Sequence, residues 1–271
     1  MNASLLELVA VDVGNSRLKM GRFAVDRSVL AAGSIPQPSQ LFEVPAQEFG
    51  LEQIAHWLAP QAITEIDWYL ASVNRPAATR LIDWLRGAGV ERMTMLCAAD
   101  LPLVVELPHP DRVGIDRLLA AVSAARLRRP GRPAIVVDLG SAITVDLLSA
   151  EGAFQGGAIL PGIAMAARGM YEFTDLLPLL DMHQLDEPPA PLGRTTEEAM
   201  RAGLFWGAVG GVRELIHRFE ADAQGEANVF LSGGAAPSVA QLLKAEARYE
   251  PHLVLAGIAL TAARLQTAEP H

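Results

Sequence analysis

A carboxylate, a turn of small polar residues and a lysine stand close together in Asp12-Val13-Gly14-Asn15-Ser16-Arg17-Leu18-Lys19. An apolar strand that ends in a tight Gly-Asn-Ser turn aims backbone N–H groups and short side-chain donors at one point, an arrangement that suits phosphate. Lys19 would supply the charge. Only two of the 22 basic residues are lysines, Lys19 and Lys244, and an ammonium meets phosphate as a compact point charge where a guanidinium forks. Asp12 would repel phosphate directly, so its use is to hold a water or Mg2+ that makes the contact. The plainer alternative is a β-hairpin with Asn15 in a left-handed turn position.

The same outline returns in Asp138-Leu139-Gly140-Ser141-Ala142, and two such hairpins facing each other would clamp a polyphosphate chain. A third stretch, His109-Pro110-Asp111-Arg112-Val113-Gly114-Ile115-Asp116-Arg117, opens a helix. Asp116 there is either a cap that answers the helix dipole or a general base that takes the proton of an attacking hydroxyl, with Arg117 beside it. Gly156-Gly157-Ala158-Ile159-Leu160-Pro161-Gly162 leaves room for a ligand next to a strand, and Ser232-Gly233-Gly234-Ala235 would let a base or ribose approach the backbone. Both also read as ordinary turns. The six histidines show no metal-ligand spacing. The Gly-rich loop ending in Gly-Lys-Ser/Thr is absent, as are the protein-kinase motifs.

The elements that must hold these residues alternate between strand and helix. Strands are expected from Leu5 to Val13, Arg17 to Phe23 and Ser28 to Ile35 as an antiparallel meander, then at Ile66–Val73 and Arg92–Cys97, with helices at Gly50–Leu58 and Ala77–Leu85. The second half repeats the plan from Pro133, with a strand at Ala153–Leu160 and a helix at Ile163–Tyr171. A proline-rich connector follows at Pro178–Pro191. The longest helix is expected from Thr195 to Ala221, with Leu204, Ala208, Val212, Leu215 and Phe219 along one face. Val229–Leu231, a helix at Pro237–Ala247 and the segment Leu253–Leu265 complete the chain. The expectation is an internally duplicated α/β protein with units at 1–113 and 114–271.

Composition narrows the class. The 271 residues are 51% hydrophobic and 20% charged, which excludes intrinsic disorder. Acidic residues outnumber basic ones 31 to 22, the wrong sign for a nucleic-acid surface. No apolar run approaches the ~18 residues of a membrane span, and no signal peptide is expected at the start. The single cysteine, Cys97, forms no internal disulfide. The cytoplasm is the expected compartment.

The ordered motifs Asp-x-Gly-Asn-Ser-x-x-Lys at 12–19, Gly-x-Asp-Arg at 114–117, Asp-x-Gly-Ser-Ala-x-Thr at 138–144 and Gly-Gly-x-Ile-x-Pro-Gly at 156–162 resemble those of type III pantothenate kinases across nearly the whole chain. The resemblance implies two ribonuclease-H-like lobes of the actin-like superfamily, mixed sheets flanked by helices, with a nucleotide cleft between them. It implies phosphorylation of pantothenate by ATP, the first step of coenzyme A synthesis, by a homodimer using Mg2+ and a monovalent cation, K+ or NH4+.

Carried over by position, Asp12 to Lys19 match the first phosphate loop, and Asp116 matches the proton acceptor within the substrate-binding stretch Gly114-Ile115-Asp116-Arg117. Asp138 matches the monovalent-cation ligand, and Ser141 a phosphate-contacting Thr. Thr196 matches a pantothenate-contacting Thr, with Thr195 one register away, and Gly233-Gly234 lies in the region of the adenosine motif. Leu107 stands where many members carry an aromatic residue against the substrate. Two other functions fit the residues: a superfamily kinase with a different acceptor, favoured by Leu107, and a non-catalytic nucleotide-binding regulator, disfavoured by the joint presence of Asp12, Lys19, Asp116 and Asp138.

Overall fold

The computed structural model describes residues 5–26, 33–58, 63–181, 187–234, 236–240, 242–243 and 247–267. The chain divides into two compact units, Met1–Leu127 with His252–His271, and Arg128–Pro251.

The first unit is built on a five-stranded mixed sheet. β1 (Leu5–Val13) turns through Gly14-Asn15-Ser16 into antiparallel β2 (Arg17–Asp26), and β3 (Gln40–Pro45) pairs with the outer edge of β2. α1 (Leu51–Leu58) leads to β4 (Asp67–Ser72), which lies parallel to β1; α2 (Arg75–Gly87) leads to β5 (Met93–Met95), and α3 (Ile115–Leu127) follows. The spatial order is β3-β2-β1-β4-β5. Val9, Val11, Val13, Leu18 and Met20 alternate onto one face and meet Ile54 of α1 and Leu81 and Leu85 of α2. Trp68 and Leu70 of β4 complete that layer, and each such fully buried side chain contributes about 1.5–3 kcal/mol.

The opposite face of the sheet is covered by helix. Gly21 sits so close to Leu255 that a Cβ would stand 3.3 Å from its Cδ1. Leu255 belongs to α7 (Leu253–Thr267), which packs on α3: a Cβ at Gly257 would fall 2.1 Å from the Leu119 carbonyl oxygen, and the Ser123 hydroxyl donates to the Leu253 carbonyl at 2.7 Å.

The second unit repeats the order. β6 (Ala134–Leu139), β7 (Ala142–Leu148) and β8 (Phe154–Pro161) form the antiparallel part, α4 (Ile163–Glu172) and α5 (Thr196–Asp222) follow, and β9 (Asn228–Ser232) runs parallel to β6. α6 (Ala236–Ala240) and β10 (Arg248–Tyr249) end it, giving β10-β9-β6-β7-β8. With β6 placed on β1, the two sheets have one topology. Ile135, Val137, Val145 and Leu231 pack against Phe205, Val209, Val212 and Ile216 of α5.

Three expectations change. Residues 28–32 lie outside the described residues, and Gly33–Ile35 are not strand; the third strand is β3, where Phe42 and Val44 supply the alternation and Pro45, lacking an N–H, sits at the end of an edge strand. The compact units meet at 127/128 and 251/252, and α3 and α7 pack on each other within the first. α6 stops at Ala240 within the expected Pro237–Ala247 helix, ahead of the segment that pairs β10 with β9; residues 241 and 244–246 lie outside the described set. The buried stripe of α5 runs through Phe205, Val209, Val212 and Ile216, and Leu204, Ala208, Leu215 and Phe219 flank it half-buried. Among the described residues, no helix is long and apolar enough to cross a membrane.

Candidate active site

In the first unit the functional residues gather where β1 and β4 end. Asp12 lies opposite Lys19 on β2, and Lys19 lies opposite Glu43 on β3, so an acid, a base and an acid form one row across three strands. Directly opposed residues bring their Cβ atoms to about 4.5–5.5 Å. Lys19 shares its face with Gly21, two residues on, and therefore with α7. His252 precedes Leu255 by one turn, and it feels the lysine: burial first, then the Lys19 charge, holds the imidazole pKa below its ordinary value, with Glu43 opposing. Arg17, at the exposed rim, is ion-paired with Glu43.

The turn itself is closed by the Gly14 N–H, which donates to the Arg17 carbonyl at 3.0 Å, while the Ser16 carbonyl accepts from the Ala46 N–H at 3.0 Å. Asn15 does not adopt a left-handed conformation; among the described residues the only non-glycine with positive φ is Gln224. The plain hairpin with Asn15 in that conformation is therefore not what forms. Val13 and Leu18 are wholly buried core residues, so within 12–19 their side chains serve the core. Asn74, which the sequence pattern did not single out, braces the turn: its Nδ2 donates to the Gly14 carbonyl at 3.3 Å.

Asp116 occupies the first turn of α3, which opens with the Arg117 N–H donating to the Gly114 carbonyl at 3.1 Å. The Asp116 carboxylate also accepts from the Arg117 N–H, at 2.9 Å. It is thus both a local cap and a group with altered acidity. Burial raises its pKa, outweighing the backbone N–H groups of Arg117 and Asp116 and the Arg117 guanidinium, which lower it. Gly114 holds this geometry: a Cβ there would stand 2.6 Å from Asp116 Oδ1 and 3.8 Å from Val73. Val73 in turn donates its N–H to the Val13 carbonyl at 3.1 Å. Gly114 therefore lies between the Asp116 carboxylate and Val73, which is bonded to the end of β1. Ile115 and Arg117 are half-buried beside it, and Leu107 is half-buried in the preceding loop.

In the second unit Asp138 stands opposite Thr144 on β7 and Ser232 on β9, a row of three oxygen-bearing side chains. Gly233, with φ +94, presses on this row: a Cβ would lie 2.5 Å from Asp138 Oδ1 and 2.6 Å from the Leu139 backbone. Gly234 faces open space. The hairpin at Gly140-Ser141 is one residue shorter than the first, with the Gly140 N–H donating to the Ala142 carbonyl at 3.1 Å. Gly162 seals it, donating its N–H to the Ser141 carbonyl at 3.2 Å, and a Cβ there would overlap that oxygen at 2.3 Å. Asp146, 1% exposed, was also missed; Gly157 makes room for it, since a Cβ would fall 2.3 Å from its Oδ1. The signal was a carboxylate inside an apolar strand opposite a glycine pair.

Thr195 and Thr196 separate by role. The Thr195 hydroxyl accepts from the Glu198 N–H at 3.2 Å as the cap of α5, and Glu198 accepts back from the Thr195 N–H at 3.3 Å. Thr196 is the first helical residue and is exposed. Of the connector, Pro189 and Asp181 are tied to α5 by Trp206 and Arg201, and residues 182–186 lie outside the described set.

Among the described residues no three His, Cys, Asp or Glu side chains converge as a metal cage. Mg2+ is commonly held by one or two carboxylates together with substrate phosphates. Asp12 is placed for such a role. Asp138, with Thr144 and Ser232 in register, offers the oxygen chemistry that suits a hard monovalent cation.

The sequence model of the type III pantothenate kinase family matches residues 8–218. A type III pantothenate kinase of Rhodopirellula baltica is 41% identical over 69% of this chain and 69% of its own length. One from Moorella thermoacetica is 30% identical over 93% of this chain and 96% of its own. Among solved structures, a Baf family protein of Campylobacter jejuni superposes with TM-score 0.61 at 20% identity, covering 96% of this chain and 100% of that one. MreB 5 of Spiroplasma citri, solved with AMPPNP, gives 0.50 at 9% identity, covering 97% of each chain. These two likenesses establish the actin-like fold. With the family model spanning most of the sequence and the motifs in matching order, this chain belongs to the type III pantothenate kinase family.

Proposed function

We propose that the protein transfers the γ-phosphoryl group of ATP to the primary hydroxyl of pantothenate, giving 4'-phosphopantothenate and ADP in the first step of coenzyme A biosynthesis in the cytoplasm. The observation that carries this reading is Asp116: a carboxylate of raised pKa, with Gly114 between it and Val73, which is bonded to the end of β1, the strand that carries Asp12 and leads to Lys19. The acceptor oxygen attacks the γ-phosphorus, its proton passes to Asp116, and the bond from the γ-phosphorus to the bridging oxygen breaks to release ADP. Lys19 and the turn N–H groups counter the charge on the phosphate oxygens, so positioning and electrostatics dominate.

Asp12 would hold Mg2+ through water, and that ion would neutralise phosphate charge when bound. Asp138 would ligate K+ or NH4+, Ser141 would contact phosphate, Gly233 and Gly234 would face the adenosine, and Gly114 to Arg117 with Thr196 would receive pantothenate. The commitment of Thr195 to capping supports Thr196 over its neighbour. We also infer a homodimer. Gly203, Gly207 and Gly210 run along one face of α5 with nothing within 4 Å of an added Cβ. Phe173 and Leu176, each 87% exposed, and Leu192, 74% exposed, lie in the same unit and are large apolar surfaces for a monomer to leave in water.

The test is purified protein with ATP, Mg2+ and pantothenate, with and without K+, following ADP release and the mass of the product. Formation of 4'-phosphopantothenate, faster with K+, is expected. ADP release with another hydroxy acid and none with pantothenate would transfer the reading to the alternative acceptor that Leu107 favours.

A further inference from the structure

Asn74 carries two separable functions in one amide. Its Oδ1 accepts from the Ala77 N–H at 3.2 Å and so caps α2, a task that Ser or Asp performs equally well. Its Nδ2 has no part in that cap. It reaches back across the sheet end to the Gly14 carbonyl at 3.3 Å. The residue is itself fixed, because its N–H donates to the Ser72 hydroxyl at 3.0 Å and the residue before it, Val73, is bonded to Val13.

The consequence lies in the Gly14–Asn15 peptide. A trans peptide is planar, with its C=O and N–H pointing in opposite directions. Holding the Gly14 oxygen toward α2 therefore turns the Asn15 N–H away from the packed side of the turn. Gly14's own N–H is occupied by the Arg17 carbonyl and offers nothing outward. Asn15 is solvent-exposed, so its N–H is a donor whose direction the Asn74 amide sets.

We propose that Asn74 is a positioning residue for nucleotide: by anchoring the Gly14 carbonyl it orients the Asn15 N–H toward phosphate. This rests on the reading of the Asp12–Lys19 turn as a phosphate site. The experiment uses the full chain and compares Asn74→Ser, which keeps a capping oxygen, with Asn74→Ala, which loses both functions. MgATP affinity is read by calorimetry, thermal stability by melting, and KM for pantothenate at saturating ATP by kinetics. Both variants should bind MgATP about fivefold to tenfold more weakly, the scale of one hydrogen bond, with KM for pantothenate unchanged. Only Asn74→Ala should melt lower.

Wild-type MgATP affinity in Asn74→Ser would overturn the proposal, as would weakening confined to Asn74→Ala, which is what a cap alone predicts. Lys19→Met separates the two levels. If it too binds MgATP as wild type does, the phosphate-turn reading fails and this proposal with it. If Lys19→Met weakens binding while Asn74→Ser does not, only the role of Asn74 is lost.

Discussion

Gly114 and Asp116 are fitted to one another: a methyl group on the glycine would stand 2.6 Å from the aspartate Oδ1. The side chain of Asp116 can keep its present position only while residue 114 has none. Gly114→Ala should therefore displace the carboxylate and leave the fold intact, because the obstructing atom is the end of a side chain and not backbone. A misplacement of this size costs about 10²-fold in a reaction governed by positioning. Steady-state turnover, read beside a melting curve, checks it; normal turnover would show that the carboxylate's position does not matter.

Asp116→Asn should lower kcat by about 10²–10⁴, the range for a lost general base, with ATP affinity within about twofold. The wild-type acid limb of kcat/KM, which reports the free enzyme, should lie above the ordinary aspartate pKa of about 3.9, since burial raises the native value. The sign for stability follows. A carboxyl whose native pKa exceeds its unfolded one favours folding most when protonated, and that advantage is lost as pH rises through the native value. Asn escapes the loss, so any gain in melting temperature of the variant over wild type should be largest at neutral pH and shrink toward pH 4.

Lys19→Arg tests the row formed with Asp12 and Glu43. A guanidinium is planar and longer, and cannot occupy the place of an ammonium between two strands without reorienting. KM for ATP should rise in Lys19→Arg and rise further in Lys19→Met, measured by ADP release. Equal KM in wild type and Lys19→Met would remove the lysine from nucleotide binding.

Adjacent glycines should respond oppositely. Gly233→Ala meets the Asp138 carboxylate and the Leu139 backbone at a positive φ, so a loss of about 1–3 kcal/mol or more is expected, visible in denaturant melts. Gly234→Ala meets nothing and should fold normally.

Gly207→Glu places a charge on the open face of α5. Sedimentation should show a dimer for wild type and a monomer for the variant; a monomeric wild type at micromolar concentration would defeat the dimer.

Much of this was legible in residue order. The strand runs ending in Asp-x-Gly announced β1 and β6, and their repetition announced the duplication, because a buried strand and its turn are encoded locally. What was not legible depends on distant partners. Nothing near residues 40–45 says that they, and not residues 28–35, add to β2. The α5 stripe keeps Val212, while Leu204, Ala208 and Leu215 flank a buried line that runs one position on, through Phe205, Val209 and Ile216. Nothing in the local sequence marks Asn74, whose amide reaches a residue sixty positions earlier. Asp146 and Gly157 became partners only through the β7–β8 register.

The seating of α7 on α3 also bears on how the protein is made. The first unit is started by the opening residues yet lacks a layer until Leu253–Thr267 emerges from the ribosome, after the entire second unit. Contacts so remote in the chain form slowly. Nascent and prematurely terminated polypeptides would thus expose the underside of the β1–β2 sheet to chaperones and proteases, which ties survival of the product to completion of its translation.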